Sequence, residues 1–255
     1  MRRLIGVTCE GETLAATLDE APGMTGLLIV SGGNEIRSGA HRGMAMLAQR
    51  LAATGTPVFH YDRRGVGDST GDNGGFLSAE PDLIAAVAEF RHAAPHVARL
   101  IGFGNCDAAS TLALFGRSAG LDKVVLANPW VIEPIDELPP ASAIRHHYRT
   151  VLRDPATWRR VLSGKLSNTN LIKGLLRIAQ TDQESRNPLA SRVLTAIATW
   201  QTNAAVILAR GDGTAIAFAA AAGAAVPSET IDTDSHSFTG PAAAALETAL
   251  RRNLA

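Results

Sequence analysis

The chain has 255 residues, of which 46% are hydrophobic, and its 24 lysines and arginines balance 24 aspartates and glutamates. That length can bury one full core, and a formal charge of zero excludes the basic footprint of a nucleic-acid or anionic-membrane binder. The two cysteines, Cys9 and Cys106, make no disulfide framework, and no stretch of 18 apolar residues predicts a membrane span.

Taken in order, the segments alternate between strand and helix signals. Residues 4–9 and 13–18 predict an antiparallel hairpin turning at Gly11. Residues 26–31 (GLLIVS) are a short apolar run, the pattern of a strand buried on both faces. Residues 43–53 carry Met44, Leu47 and Leu51 at helical spacing. Residues 57–61 predict the next strand, and 79–93 an amphipathic helix that Pro95 stops. Residues 98–103 predict a strand and 108–117 a helix. Residues 123–127 (KVVLA) and 204–209 (AAVILA) predict two further buried strands, and 241–252 a closing alanine-rich helix. Such alternation predicts an α/β fold, a mostly parallel central sheet with helices on both faces. Residues 130–202 break the pattern. They predict helices at 143–152, 155–162, 170–179 and 188–200 and no strand. We read 130–202 as a helical cap inserted into a core made of residues 1–129 and 203–255.

The segment Gly104-Asn105-Cys106-Asp107-Ala108 joins the strand at 98–103 to the helix that follows. A nucleophile flanked at two residues' distance by small side chains fits a sharp strand-to-helix turn. At a helix N-terminus the dipole and the free N–H groups favour an anion, including a thiolate. The plainer reading is that Cys106 is a small buried hydrophobe. A nucleophilic thiol needs a base and the base an orienting acid. His236 precedes the last helix, and Asp212 lies just past the strand at 204–209. Asp212 has a second reading as a helix N-cap, and Asp232 and Asp234 compete with it for the acid role. An oxyanion needs two N–H donors. Asp107 is the candidate for one. Gly33, and after it Asn34, is the candidate for the other, in the loop Ser31-Gly32-Gly33-Asn34-Glu35. The segment from Asp62 to Ser69 is glycine-rich but lacks both the phosphate-loop lysine and the dinucleotide spacing. No cofactor or metal is implied.

These pieces resemble the α/β-hydrolase superfamily and, more closely, the exosortase A system-associated hydrolases, type 1. The similarity rests on Gly32-Gly33 followed by His41-Arg42, on Asp62 to Ser69, and on the elbow Gly104-Asn105-Cys106-Asp107-Ala108-Ala109-Ser110. It continues in Asn128-Pro129-Trp130, Arg145-His146-His147-Tyr148, Asp212 with Thr214-Ala215, and Asp234-Ser235-His236-Ser237-Phe238. The resemblance implies an α/β-hydrolase fold with a helical cap insertion and a genomic link with exopolysaccharide production and protein sorting.

The expected activity is cysteine-dependent hydrolysis of an ester or thioester of a small acyl substrate, through Cys106, His236 and Asp212. His41, Arg145, His146 and Tyr148 are candidates for contacts with a polar part of that substrate. Acyl transfer shares the first half-reaction and remains the neighbouring alternative. A non-catalytic scaffold on the same fold is the alternative from another class. A reducing compartment suits an unpaired thiol, so the cytoplasm is the expected location, with a homodimer kept open as the oligomeric state.

Overall fold

The computed structural model describes residues 1–133 and 188–255. Eight strands form one sheet: β1 (Arg2–Cys9), β2 (Glu12–Asp19), β3 (Thr25–Val30), β4 (Val58–Tyr61), β5 (Arg99–Asn105), β6 (Lys123–Ala127), β7 (Ala204–Ala209) and β8 (Ser228–Ile231). Their order across the sheet is β1-β2-β4-β3-β5-β6-β7-β8. β2 runs antiparallel to both β1 and β4, and every other pairing is parallel. The helices are α1 (Gly43–Ala53), α2 (Glu80–Ala93), α3 (Asp107–Phe115), α4 (Pro188–Thr199), α5 (Gly213–Ala222) and α6 (Pro241–Leu254).

The apolar strands are continuous runs because both of their faces are covered. On β6, Val124 and Leu126 join one hydrophobic cluster while Val125 and Ala127 join the other. β7 divides in the same way, with Val206 and Leu208 on one side and Ile207 and Ala209 on the other. One cluster takes Phe90 from α2 and Leu112 from α3, and the opposite cluster takes Leu47 from α1 and Leu246 from α6. The expected mostly parallel sheet with helices on both faces is therefore what forms.

The first hairpin turns through Glu10 and Gly11, both at positive φ (48° and 86°), between the paired residues Cys9 and Glu12. A two-residue hairpin with this backbone matches the strand twist and favours glycine. β8 has no counterpart in the sequence reading. Only Ile231 of its four residues is buried, so this edge strand shows no apolar run or alternation.

The helix expected over residues 188–200 forms as α4, and it packs against α3. Leu189, Val193 and Ile197 share the cluster that holds Leu112 of α3, and Trp200, 1% exposed, donates its indole N–H to the Ala113 carbonyl at 3.0 Å. Arg117 stacks over the Trp200 ring at 4.8 Å. The physical reason is that α3 is apolar on its outer side and must be covered. The expected helices at 143–152, 155–162 and 170–179 lie outside the described residues. Among the described residues no helix is long and apolar enough to cross a membrane.

Candidate active site

The turn from β5 into α3 places Cys106 at φ 63° and ψ −129°, a left-handed conformation that costs a non-glycine residue about 1–3 kcal/mol. The surrounding backbone holds it there. Cys106 N–H donates to the Ala127 carbonyl at 3.0 Å, and the Cys106 carbonyl accepts from Ala109 N at 3.1 Å and Trp130 N at 3.2 Å. The small flanking residues have a steric cause. A Cβ on Gly104 would stand 2.7 Å from the Ala108 carbonyl carbon. Gly102, next on the same face of β5, would meet Leu121 and Leu112 at 2.7 and 2.8 Å. Bare backbone on that face lets α3 close on the strand, and this lifts Cys106 to the C-terminal edge of the sheet. Cys106 is partly exposed, whereas Cys9 is buried. Burial and the neighbouring Asp82 push the Cys9 thiol up to about 11, which leaves it protonated and unreactive.

His236 comes from the loop between β8 and α6, and several bonds bring it to the elbow. Arg210 N–H donates to the Ile231 carbonyl at 3.0 Å and Gly211 N–H to the Thr233 carbonyl at 2.9 Å. A Cβ on Gly211 would meet that of Asp234 at 2.9 Å, so glycine permits this close approach. The His236 ring bonds through Nδ1 to Asp212 Oδ1 at 2.9 Å. The other carboxylate oxygen of Asp212 accepts Ala215 N–H at 2.9 Å, capping α5. The two sequence readings of Asp212, cap and acid, thus correspond to its two oxygens. Asp232 is exposed and lies 3.3 Å from Arg210, and Asp234 is exposed; neither bonds the ring. Hydrogen bonds to Asp212 first and to Cys106 second, against the cost of burial, raise His236 to about 10. The ring is therefore cationic at neutral pH, a counter-ion suited to a thiolate.

A network the sequence reading did not single out supports the histidine. Asn128 is fully buried and sits at φ 42°. Its amide nitrogen donates to Asn105 Oδ1 at 3.0 Å and to the His236 carbonyl at 3.2 Å, while its oxygen accepts Ala209 N–H at 2.8 Å. Asn105 adds a bond to the His236 carbonyl at 3.0 Å. The ends of β5, β6 and β7 are thereby tied to the histidine loop. The signal was present in the asparagine of the elbow and in the Asn128-Pro129 pair at the end of β6.

The loop after β3 approaches from the other side. A Cβ on Gly32 would stand 2.5 Å from the Asn105 carbonyl and 2.8 Å from Asp107 Oδ1, so a side chain there would bar the loop from the elbow. Fully buried Asp62 anchors the loop by accepting Arg37 N–H at 2.5 Å, Asp68 N–H at 3.1 Å, and an Arg37 guanidinium N–H. The segment Asp62 to Ser69 thus shapes the loop beneath the site. Gly33, the candidate donor, gives its N–H to Asp107 Oδ1 at 2.6 Å. The backbone N–H of Asp107 opens α3, where no intrahelical acceptor exists for it. Exposed Asn34 accepts from Asn73 Nδ2 at 2.8 Å through its side chain. Arg63, also missed from the sequence, is buried and donates to the Gly33 carbonyl.

The structure therefore gathers Cys106, His236, Asp212, Asp107 and the Gly33–Asn34 loop at one edge of the sheet. His41 is exposed in the 3-10 turn Ala40–Arg42 and makes no hydrogen bond or ion pair with these residues. Arg145, His146 and Tyr148 lie outside the described residues. A small cavity lies beside the site, lined by Gly32, Glu35, Met44, Phe103, Asn105 and Phe238 among others. Among the described residues no cluster of histidine, cysteine, aspartate and glutamate could hold a metal ion.

No protein-family model matches the chain, and no curated protein sequence matches it. Solved structures do. The Pyrococcus furiosus esterase Pf2001 superposes with a TM-score of 0.63 at 14% identity, covering 100% of this chain and 89% of that one. The α/β hydrolase GrgF from a Penicillium species gives 0.63 at 15% identity over 100% and 98% of the two chains. A thioesterase domain from the curacin biosynthetic pathway gives 0.56 at 14% identity over 98% and 99%. Likeness at this level of identity concerns architecture, and it agrees with the strand order and the elbow described above: the chain has the α/β-hydrolase fold.

Proposed function

We propose that the protein is a cysteine-dependent acyl hydrolase that cleaves ester or thioester bonds. The observations that carry this reading are a thiol on a left-handed turn at a helix N-terminus and, at the same edge of the sheet, a histidine raised by Asp212 and Cys106 whose Nδ1 meets a buried carboxylate. The esterase and the thioesterase domain among the structural neighbours support the same class of bond.

In this reading the Cys106 thiolate attacks the acyl carbonyl carbon, and the carbonyl π electrons move onto oxygen. The Asp107 N–H and a donor from the Gly33–Asn34 loop hold that oxyanion. Collapse expels the leaving alkoxide or thiolate, which takes its proton from the His236 imidazolium, and leaves an acyl thioester on Cys106. His236, now neutral, takes a proton from water as the water oxygen attacks the thioester. Collapse of the second intermediate returns the Cys106 thiolate beside an imidazolium and frees the carboxylic acid. Asp212 keeps the ring oriented and stabilises its cationic form throughout. Esters and thioesters suit a sulfur nucleophile better than amides, because thiolate leaves more readily than an amine and an amide adduct reverts.

Two free thiols suit a reducing compartment, which supports a cytoplasmic location. The link with exosortase-associated systems rests on the sequence motifs alone. The test is turnover of p-nitrophenyl acyl esters and acyl thioesters by wild type and Cys106→Ala, with mass spectrometry of the trapped acyl-enzyme. Wild type gains the acyl mass on the peptide containing Cys106, and Cys106→Ala loses turnover. Undiminished turnover by Cys106→Ala removes the proposal.

A further inference from the structure

The donor that acylation assigns to the substrate oxygen already holds an anion. Asp107 Oδ1 accepts the Gly33 N–H at 2.6 Å. The other oxygen of the same carboxylate lies 3.5 Å from Arg63 Nη2. Arg63 is 4% exposed, donates through Nη2 to the Gly33 carbonyl, and leaves Nη1 without any hydrogen-bond partner. A buried guanidinium N–H is costly to leave unpaired, and each such vacancy calls for an explanation. Gly32 completes the arrangement, since a Cβ there would crowd Asp107 Oδ1 at 2.8 Å. The loop therefore has room for the carboxylate and bare backbone where it rests.

We propose that Asp107 is a two-position stopper of the oxyanion hole and that Arg63 is its receiver, an inference that rests on the acyl-hydrolase reading. At rest the carboxylate occupies the Gly33 N–H. As negative charge develops on the substrate oxygen, that oxygen takes the N–H, and the Asp107 carboxylate swings onto Arg63. There it forms a fork-shaped pair that uses the vacant Nη1. A neutral carbonyl oxygen competes poorly with a carboxylate for one donor, whereas an oxyanion competes well. The exchange therefore favours the transition state over the bound substrate. Asp107 contributes twice to the site: its N–H serves as one oxyanion donor, and its side chain regulates access to the other.

The test separates occupancy from charge. Asp107→Ala clears the donor and removes the charge. Asp107→Asn removes the charge but keeps an amide oxygen on the Gly33 N–H. Asp107→Ser, with a side chain one atom shorter, serves if the alanine variant is poorly folded by circular dichroism. The acylation rate constant is read from the p-nitrophenolate burst with p-nitrophenyl acetate. Expected is a gain of about tenfold or more for Asp107→Ala, within the roughly hundred- to thousandfold that one oxyanion donor is worth, and a smaller gain for Asp107→Asn, whose neutral amide oxygen still occupies the Gly33 N–H but yields it more readily than a carboxylate. Alanine at or below wild type overturns the stopper, and so does an equal rise in the alanine and asparagine variants, which would mark a charge effect. Cys106→Ala, run alongside, distinguishes the two proposals. If it is inactive and Asp107→Ala is no faster than wild type, only the stopper falls; if it stays active, both fall.

Discussion

Asp212→Asn tests the orienting acid most directly, because the structure states what each carboxylate oxygen does. Oδ2 caps α5 through Ala215 N–H, and Oδ1 meets His236 Nδ1, both at 2.9 Å. Asparagine has one oxygen and one NH2. If its oxygen keeps the cap, its NH2 faces Nδ1 and donates to it. That places the ring proton on the nitrogen facing Cys106, so the ring cannot accept the thiol proton. The fold survives, because asparagine caps helices as well as aspartate does. The lost charge-assisted bond is worth about 1.5–3 kcal/mol, and at about 1.4 kcal/mol per tenfold the acylation rate falls about 10- to 150-fold before any tautomer effect is added. The pH profile moves as well. The largest cause that lifts His236 to about 10 is the Asp212 hydrogen bond, so in Asp212→Asn the imidazolium is lost at lower pH and the alkaline limb of activity shifts towards the ordinary histidine range near 6.5. The assay is kcat/KM on a p-nitrophenyl ester together with the rate of Cys106 alkylation by iodoacetamide, each from pH 5 to 11. Asp234→Asn, at an exposed residue that does not touch the ring, serves as the control and keeps the wild-type profile. A profile for Asp212→Asn that superimposes on wild type, or a collapse in Asp234→Asn alone, refutes the assignment.

Two further outcomes are expected. The folded state holds His236 above its unfolded value, so its contribution to stability is fully present below about pH 6.5 and is lost as pH rises through about 10. Urea unfolding of wild type and His236→Gln between pH 6 and 10 should show the wild-type advantage shrinking with pH, and a constant difference contradicts this. Asn128→Ala leaves the buried Ala209 N–H without its acceptor and frees the His236 carbonyl from one of its two tethers. It should lower stability by about 1–3 kcal/mol and reduce kcat more than it raises KM; a loss confined to KM would show that the tether acts on substrate binding instead.

Much of the architecture can be read along the chain because its physical cause is local. A strand covered on both faces must be apolar throughout, so the runs GLLIVS, KVVLA and AAVILA declare themselves. The elbow is equally visible, since α3 approaches β5 closely enough that Gly104 must lack a side chain. The chain order Cys106, Asp212, His236 likewise needs no coordinates. Contacts made through space are another matter. Three aspartates are plausible partners for His236 by position, and only the pairing of β7 with β8 turns Asp212 toward the ring while Asp232 and Asp234 face solvent. Helix α4 has the periodicity of any amphipathic helix, and its place in the core follows from the apolar flank of α3, a surface that exists only after folding. Strand β8 buries one residue of four and so leaves no pattern to find. The Asp107 carboxylate on the Gly33 N–H and the vacant guanidinium nitrogen of buried Arg63 join three parts of the chain. Sequence supplies the residue types for that arrangement, but it is the parallel packing of β3 between β4 and β5 that brings their side chains within reach of one another.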